Sequence, residues 1–194
     1  MRLGVMCSGN GTNFQNILTN PLCNTNEVVL MIYNKKKCGA KKRAAKFGVP
    51  HCYVDYKDEE HMIELFKAWR VDLIVLAGYM RIIKNPDDFP APIINVHPSL
   101  LPKYKGLNAV EQAMESGDKV TGCSVHYVNE ELDGGEVIMQ GEVPILPEDT
   151  VESLTKAIQR MEYGILPAAI EYVKNSRQSN HVDNAKYQLQ ESNR

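Results

Sequence analysis

The run Leu73-Ile74-Val75-Leu76-Ala77 is apolar at every position. A strand with one wet face alternates apolar and polar residues. An uninterrupted run suits a parallel strand covered on both faces. Leu3 to Cys7 and Val28 to Tyr33 read the same way, and Cys52–Val54 and Ile93–Val96 are shorter versions. Between these runs the apolar period changes from strand to helix. Phe14–Leu18 opens one helix. Cys38–Phe47 reads as a second, ended by Gly48 with Pro50 beyond it. Asp58–Trp69 is a third, with Met62, Leu65, Phe66 and Trp69 at helical spacing, which makes them core. Strand–helix–strand units repeated in this way predict an α/β fold built on a parallel sheet.

The second half is patterned differently. After Ile93–Val96 comes a long Pro/Lys/Gly loop, then a helix over Asn108–Ser116 stopped by Gly117. Thr121–Val128 and Val137–Val143 read as two longer strands joined by the acidic loop Asn129–Gly135. A last helix runs from Thr150 to about Val173, with Thr150 as its cap and Ser153 in place of the usual acid three residues on. The expected organisation is one domain over residues 1–173, followed by a polar, flexible tail at 174–194. With 194 residues, 43% of them hydrophobic, the chain can bury a core without staples. A formal charge of −2 argues against a strongly basic nucleic-acid binder, and no apolar run is long enough to span a membrane. The five cysteines, Cys7, Cys23, Cys38, Cys52 and Cys123, form no Cys-x-x-Cys pair. Reduced thiols in a cytoplasmic protein are the expectation, with no metal site.

Two polar clusters interrupt this pattern. Ser8-Gly9-Asn10-Gly11-Thr12-Asn13 follows the first strand and opens the first helix. Backbone N–H groups at such a junction seat an anion, and glycines let the chain approach it closely. Phe14 stands where a dinucleotide fingerprint needs its third glycine, the second strand ends in Tyr33-Asn34-Lys35 without an acid, and no Gly-Lys-Ser/Thr follows. A phosphate seat that does not serve a dinucleotide, or a merely structural turn, remains.

The second cluster is Asn95-Val96-His97-Pro98, beyond a strand's carboxyl end, where α/β enzymes place reactive groups. Asn95 and His97 are two apart and so share a side of an extended segment. A carboxamide and an imidazole aimed together suit a developing oxyanion. Asp133, before Gly134-Gly135, supplies a carboxylate that could orient the imidazole, or marks an ordinary hairpin turn.

Four segments in order resemble a known family: Ser8–Asn13, Leu76-Ala77-Gly78-Tyr79-Met80-Arg81-Ile82, Asn95-Val96-His97-Pro98-Ser99-Leu100-Leu101-Pro102, and Ser124-Val125-His126 through Leu132-Asp133-Gly134-Gly135. Together they resemble the folate-dependent formyltransferases, in the phosphoribosylglycinamide branch, over residues 1 to about 173. The resemblance implies a Rossmann-like fold, a mostly parallel twisted sheet flanked by helices. It implies formyl transfer from 10-formyltetrahydrofolate, a co-substrate, to the amine of phosphoribosylglycinamide, without a metal. Asn95, His97 and Asp133 match the family's catalytic residues. Gly11, Thr12 and Asn13 match its phosphate turn, and Gln159, Arg160, Met161 and Glu162 its glycinamide contacts. Met80, Arg81, Ile82 and Ile83, with Asn95 and with Asn129, Glu130, Glu131, Leu132 and Asp133, match the folate pocket. Lys57 stands where many members place a folate-contacting Arg. Leu101–Pro102 matches a peptide bond that is often cis.

Other features carry blander readings. His126 is expected to pack or to support other groups rather than to react. Lys35, Lys36, Lys37, Lys41, Lys42, Arg43 and Lys46 read as a solvated helix face, with steering of anionic substrates as the alternative. The expected partners are small molecules, with neither nucleic acid nor membrane, and oligomeric state is left open. A formyltetrahydrofolate hydrolase would be expected to carry an extra N-terminal domain, and a methionyl-tRNA formyltransferase a C-terminal RNA-binding one. A phosphate-ligand binder without turnover is the alternative from another class.

Overall fold

The computed structural model describes residues 1–191, with side chains described to residue 179. Seven strands form one sheet: β1 (Arg2–Cys7), β2 (Glu27–Tyr33), β3 (His51–Tyr53), β4 (Leu73–Leu76), β5 (Ile93–His97), β6 (Val120–Tyr127) and β7 (Val137–Pro144). Their order is β3-β2-β1-β4-β5-β6-β7. The first five run parallel, and β6 pairs antiparallel with both β5 and β7. The chain winds outward from β1 to β3, then crosses back to β4. The carboxyl ends of β1 and β4 therefore flank a topological switch point, the usual ligand crevice of such sheets.

Five helices cover the sheet: α1 (Thr12–Thr19), α2 (Ala40–Lys46), α3 (Glu59–Ala68), α4 (Ala109–Glu115) and α5 (Val151–Glu191). β4 is buried at all four positions, as its unbroken apolar run requires. Its residues alternate between two cores. Leu73 and Val75 join Phe14, Leu154 and Ile158 on the side of α1 and α5. Ile74 and Leu76 join Met62, Phe66 and Phe89 on the side of α3.

Local signals act as their chemistry predicts. Asp58 caps α3 by accepting from the His61 N–H (3.2 Å). At the start of α5, the Ser153 N–H donates to Thr150 Oγ1 (3.1 Å) and the Thr150 N–H donates to Ser153 Oγ (2.9 Å). That is a capping box with serine standing in for the acid. α5 continues to Glu191 instead of ending near Val173. The apolar stripe stops there, but no Gly or Pro follows before Glu191 to end the backbone ladder. Residues 192–194 of the expected tail lie outside the described residues.

One proline sets how two helices meet. Pro167 lies inside α5 and has no N–H to give to the carbonyl four residues back. That carbonyl belongs to Tyr163, and it accepts from Asn16 Nδ2 (2.8 Å) and Asn20 Nδ2 (3.4 Å). The freed acceptor thus fastens the end of α1 to α5.

Candidate active site

The glycine turn comes first in the chain. Gly11 has φ +71°, the left-handed region, and starts α1 without a side-chain cap. A Cβ there would lie 2.6 Å from Ala40 Cβ, so both conformation and space demand glycine. The first helical bond runs from the Gln15 N–H to the Gly11 carbonyl. The amides of Thr12 and Asn13 sit in the helix's first turn, ahead of any intrahelical acceptor, in the arrangement that takes an anion.

Asn13 turns its side chain inward. Its Nδ2 donates to Glu162 Oε2 (2.8 Å), and its Oδ1 has no partner. Burial pushes the Glu162 carboxyl above its ordinary range, against the lowering effect of Asn13. Of the neighbours matched with Glu162, Met161 packs on Gly141 of β7, and Gln159 and Arg160 are exposed.

Asn95 and His97 lie on β5 with alternating side chains, and His126 sits opposite Asn95 on β6. Asp133, at φ +49°, comes back to them from the β6–β7 loop. Its Oδ2 lies 3.3 Å from His97 Nδ1 and accepts the Gly106 N–H (2.8 Å); its Oδ1 lies 3.5 Å from His126 Nε2. The ring of His97 also donates from Nε2 to the Tyr104 carbonyl (2.8 Å). His126 donates from Nδ1 to the Tyr127 carbonyl (2.8 Å), and its Nε2 lies between Asn95 Nδ2 (3.2 Å) and Asp133 Oδ1 (3.5 Å). Carboxamide, two imidazoles and carboxylate therefore form one contiguous group. Burial pushes the Asp133 carboxyl up, but the His126 contact, the Gly106 N–H and the attraction of both imidazoles hold it below its ordinary value. It is ionised at neutral pH.

The loop carrying Tyr104 and Gly106 is built by a buried network. Ser124 Oγ donates to the Ser99 carbonyl (2.6 Å) and accepts the Leu101 N–H (3.0 Å), and Gln140 Nε2 donates to the Leu101 carbonyl (2.9 Å). The Leu101–Pro102 peptide bond is cis, as the resemblance implies.

The formyl transferase family model matches residues 1–170. This chain belongs to the formyl transferase family. It is 38% identical to phosphoribosylglycinamide formyltransferase of Haemophilus influenzae, over 91% of this chain and 88% of that protein. It is also 40% identical to the trifunctional purine biosynthetic protein adenosine-3 of Drosophila melanogaster, over 90% of this chain but only 14% of that protein's length. Among solved structures, glycinamide ribonucleotide transformylase 1 of Symbiobacterium toebii superposes with a TM-score of 0.86 at 39% identity, covering 91% of this chain and 89% of that one. Within the family the chain belongs to the phosphoribosylglycinamide formyltransferases.

In this formyl transferase the residues matched with the folate pocket, beyond Asn95 and Asp133, fall into four environments. Met80 and Ile82 are exposed at 59% and 63%, and Leu132, which precedes Asp133, at 49%. Ile83 is instead part of the core with Phe66 and Phe89. Asn129 and Glu131 shape their own loop, the Glu131 N–H donating to Asn129 Oδ1 (3.0 Å), and Glu131 pairs with Lys105 (2.7 Å); Glu130 is exposed. Arg81 lies over the Tyr56 ring, its guanidinium carbon 4.3 Å from the centroid, and Lys57 Nζ approaches the same ring at 5.8 Å.

Sequence reasoning did not find Tyr56, Tyr104 or Gly106. Tyr56 had a signal, an aromatic next to Lys57. Tyr104 acts through its backbone carbonyl, and no residue type announces that. All five thiols are unpaired, and burial pushes Cys123 up to about 12 and Cys23 up to about 11.

Proposed function

We propose that this chain moves a formyl group from 10-formyltetrahydrofolate to the amine of 5-phosphoribosylglycinamide, with residues 1–173 as the catalytic unit. The reading is carried by one observation: Asp133 bridges His97 and His126 beside Asn95, while a glycine turn stands at the neighbouring switch point. The amides of Gly11, Thr12 and Asn13 seat the ribose phosphate. Glu162, turned inward with Asn13, receives the glycinamide end. Arg81 and Lys57 face the carboxylates of the folate, and Met80, Ile82 and Leu132 cover its rings.

The amine nitrogen attacks the formyl carbon, and the carbonyl electron pair moves onto oxygen. Asn95 Nδ2, beside His126, turns an N–H toward that oxygen. His97 Nε2–H, which the Tyr104 carbonyl accepts in this structure, is the donor that a more strongly negative oxygen takes over. Asp133 faces the other ring nitrogen and fixes the orientation of the imidazole. The bond from carbon to the folate nitrogen then breaks, and the proton shed by the attacking amine ends on that nitrogen. The products are the formylated glycinamide ribotide and tetrahydrofolate. The reading assigns no step to a metal and places the enzyme in the cytoplasm with small-molecule partners only.

The test is tetrahydrofolate release from 10-formyltetrahydrofolate with and without the glycinamide ribotide. Acceptor-dependent release supports the reading. Release without acceptor makes the chain a hydrolase, and no release makes it a binder.

A further inference from the structure

Seven of the chain's 22 Lys and Arg residues lie between Lys35 and Lys46, and none of its 24 acids does; the nearest acids in sequence are Glu27 and Asp55. Lys35, Lys36, Lys37, Lys41, Lys42 and Lys46 are exposed, and none belongs to an ion pair among the described residues. A merely solvated face is built differently in this molecule. α3 mixes Glu59, Glu60 and Glu64 with Lys67, and α5 pairs Lys156 with Glu152. In α2, Lys42 and Lys46 are like charges four apart, which costs a helix a few tenths of a kcal/mol. Only Arg43 and Lys46, in the last turn, suit the helix dipole; the other cations of the run do nothing for the helix.

The segment is fastened to the glycine turn. The Ala40 N–H donates to the Gly9 carbonyl (3.1 Å), and Cys38 Sγ lies 3.1 Å from the same oxygen. Arg43, the one half-buried cation of the run, donates from Nε to the Asn10 carbonyl (2.6 Å) and also bonds Gln15. The six lysines without an ion pair are thus carried on a segment fastened to the glycine turn. An uncompensated charge acts over about 8–10 Å at ordinary salt.

We propose that Lys35–Lys46 is the anion-gathering approach to the glycine turn, raising the rate and affinity with which the turn captures a phosphate monoester. This rests on the reading of that turn as the phosphate seat. The experiment compares the wild type with Lys35→Gln/Lys36→Gln/Lys37→Gln and with Lys41→Gln/Lys42→Gln. For each, binding of ribose 5-phosphate and kcat/KM for the glycinamide ribotide are followed from low to high salt. The wild-type kcat/KM should fall about tenfold with salt, while the variants start about tenfold lower, change little and converge with it at high salt. Their kcat and their KM for the formyl folate should match the wild type. Parallel salt curves, or a loss in kcat, would overturn the proposal. So would retention of the wild type, but not the variants, on single-stranded RNA at physiological salt, since the surface would then serve nucleic acid. If ribose 5-phosphate binds all three proteins with equal salt dependence, the seat stands and the approach falls. If it binds none at low salt, the seat falls as well.

Discussion

The glycine turn and the Asn95–His97–Asp133 group do complementary jobs and are built in opposite ways. The turn is six consecutive residues, with Cys38, Ala40 and Arg43 of one neighbouring segment bonded to it or packed against it. The acid–amide–imidazole group draws on β5, on β6 and on two loops, and its Asp133 is 36 to 38 positions beyond Asn95 and His97. Local construction tolerates damage elsewhere in the molecule. Distributed construction makes each member depend on the others' placement. Mutations should therefore act on binding at the turn and on turnover at the group.

The largest effects belong to the distributed group. Asn95→Ala should lower kcat by about 10²–10³, or about 2.7–4 kcal/mol of transition-state stabilisation, with little change in KM. Asp133→Asn should cost at least as much, because the same carboxylate faces both imidazoles. In the wild type, kcat/KM should fall in acid as Asp133 protonates, and because its carboxyl is held low that limb should lie below the ordinary carboxylate range. The Asn variant should lose the limb. Steady-state kinetics across pH checks both, and a variant with nearly full kcat would break the contrast drawn above.

Next comes the turn. Gly11→Ala forces a left-handed φ and a contact on Ala40. It should destabilise the fold by about 1–3 kcal/mol and weaken ribose 5-phosphate binding, with kcat preserved at saturation. Gly117→Ala has a positive φ but open space around it. It should cost stability alone, which separates strain from loss of the seat. Thermal unfolding with and without the phosphate reads the difference.

The same division explains what the sequence made legible. The parallel half could be read because each signal was local: β4 from five apolar residues, the caps at Asp58 and Thr150 from their spacing, the turn from its glycines. In the site, the side-by-side placement of Asn95 and His97 followed from strand alternation alone. The division of Asp133 between two histidines did not, because it depends on how a loop of nine residues closes between β6 and β7. Nor could spacing show that His97 would spend Nε2 on a backbone carbonyl. The extent of α5 was misjudged for a related reason. Apolar periodicity reports where a helix packs, and α5 extends beyond its apolar stripe.

Glu162 stands between the two regions and gives a smaller, signed effect. Its carboxyl is raised in the fold by burial. Below the ordinary Glu value it is protonated both folded and unfolded, so burial carries no ionisation penalty there. As pH rises through its folded value, the unfolded chain gains from ionising and the protein loses stability. Glu162→Gln keeps a partner for Asn13 but cannot ionise. It should therefore melt higher than the wild type in mild alkali, melt equally in acid, and show a raised KM for the glycinamide substrate. Tm against pH checks the sign, and a variant that melts lower than wild type in alkali would show that Glu162 is held by a cation.

The smallest expected effect lies farthest from both regions, at the Tyr56 platform. Arg81 is exposed, and without an anchor a long side chain loses rotamer freedom when it meets a carboxylate. The ring beneath it, 4.3 Å from centroid to guanidinium, restricts that freedom before the ligand arrives. An exposed cation–π contact is worth about 0.5–1 kcal/mol, so Tyr56→Leu should raise KM for the formyl folate about two- to fivefold. Tyr56→Phe keeps the ring and should change it little. Both should leave kcat untouched, because Tyr56 reaches neither Asn95 nor Asp133 among the described contacts. A fall in kcat in Tyr56→Leu would mean that the folate's tail and its reacting carbon are coupled through the Gly78–Ile83 loop. The distributed region would then extend to the edge of the sheet.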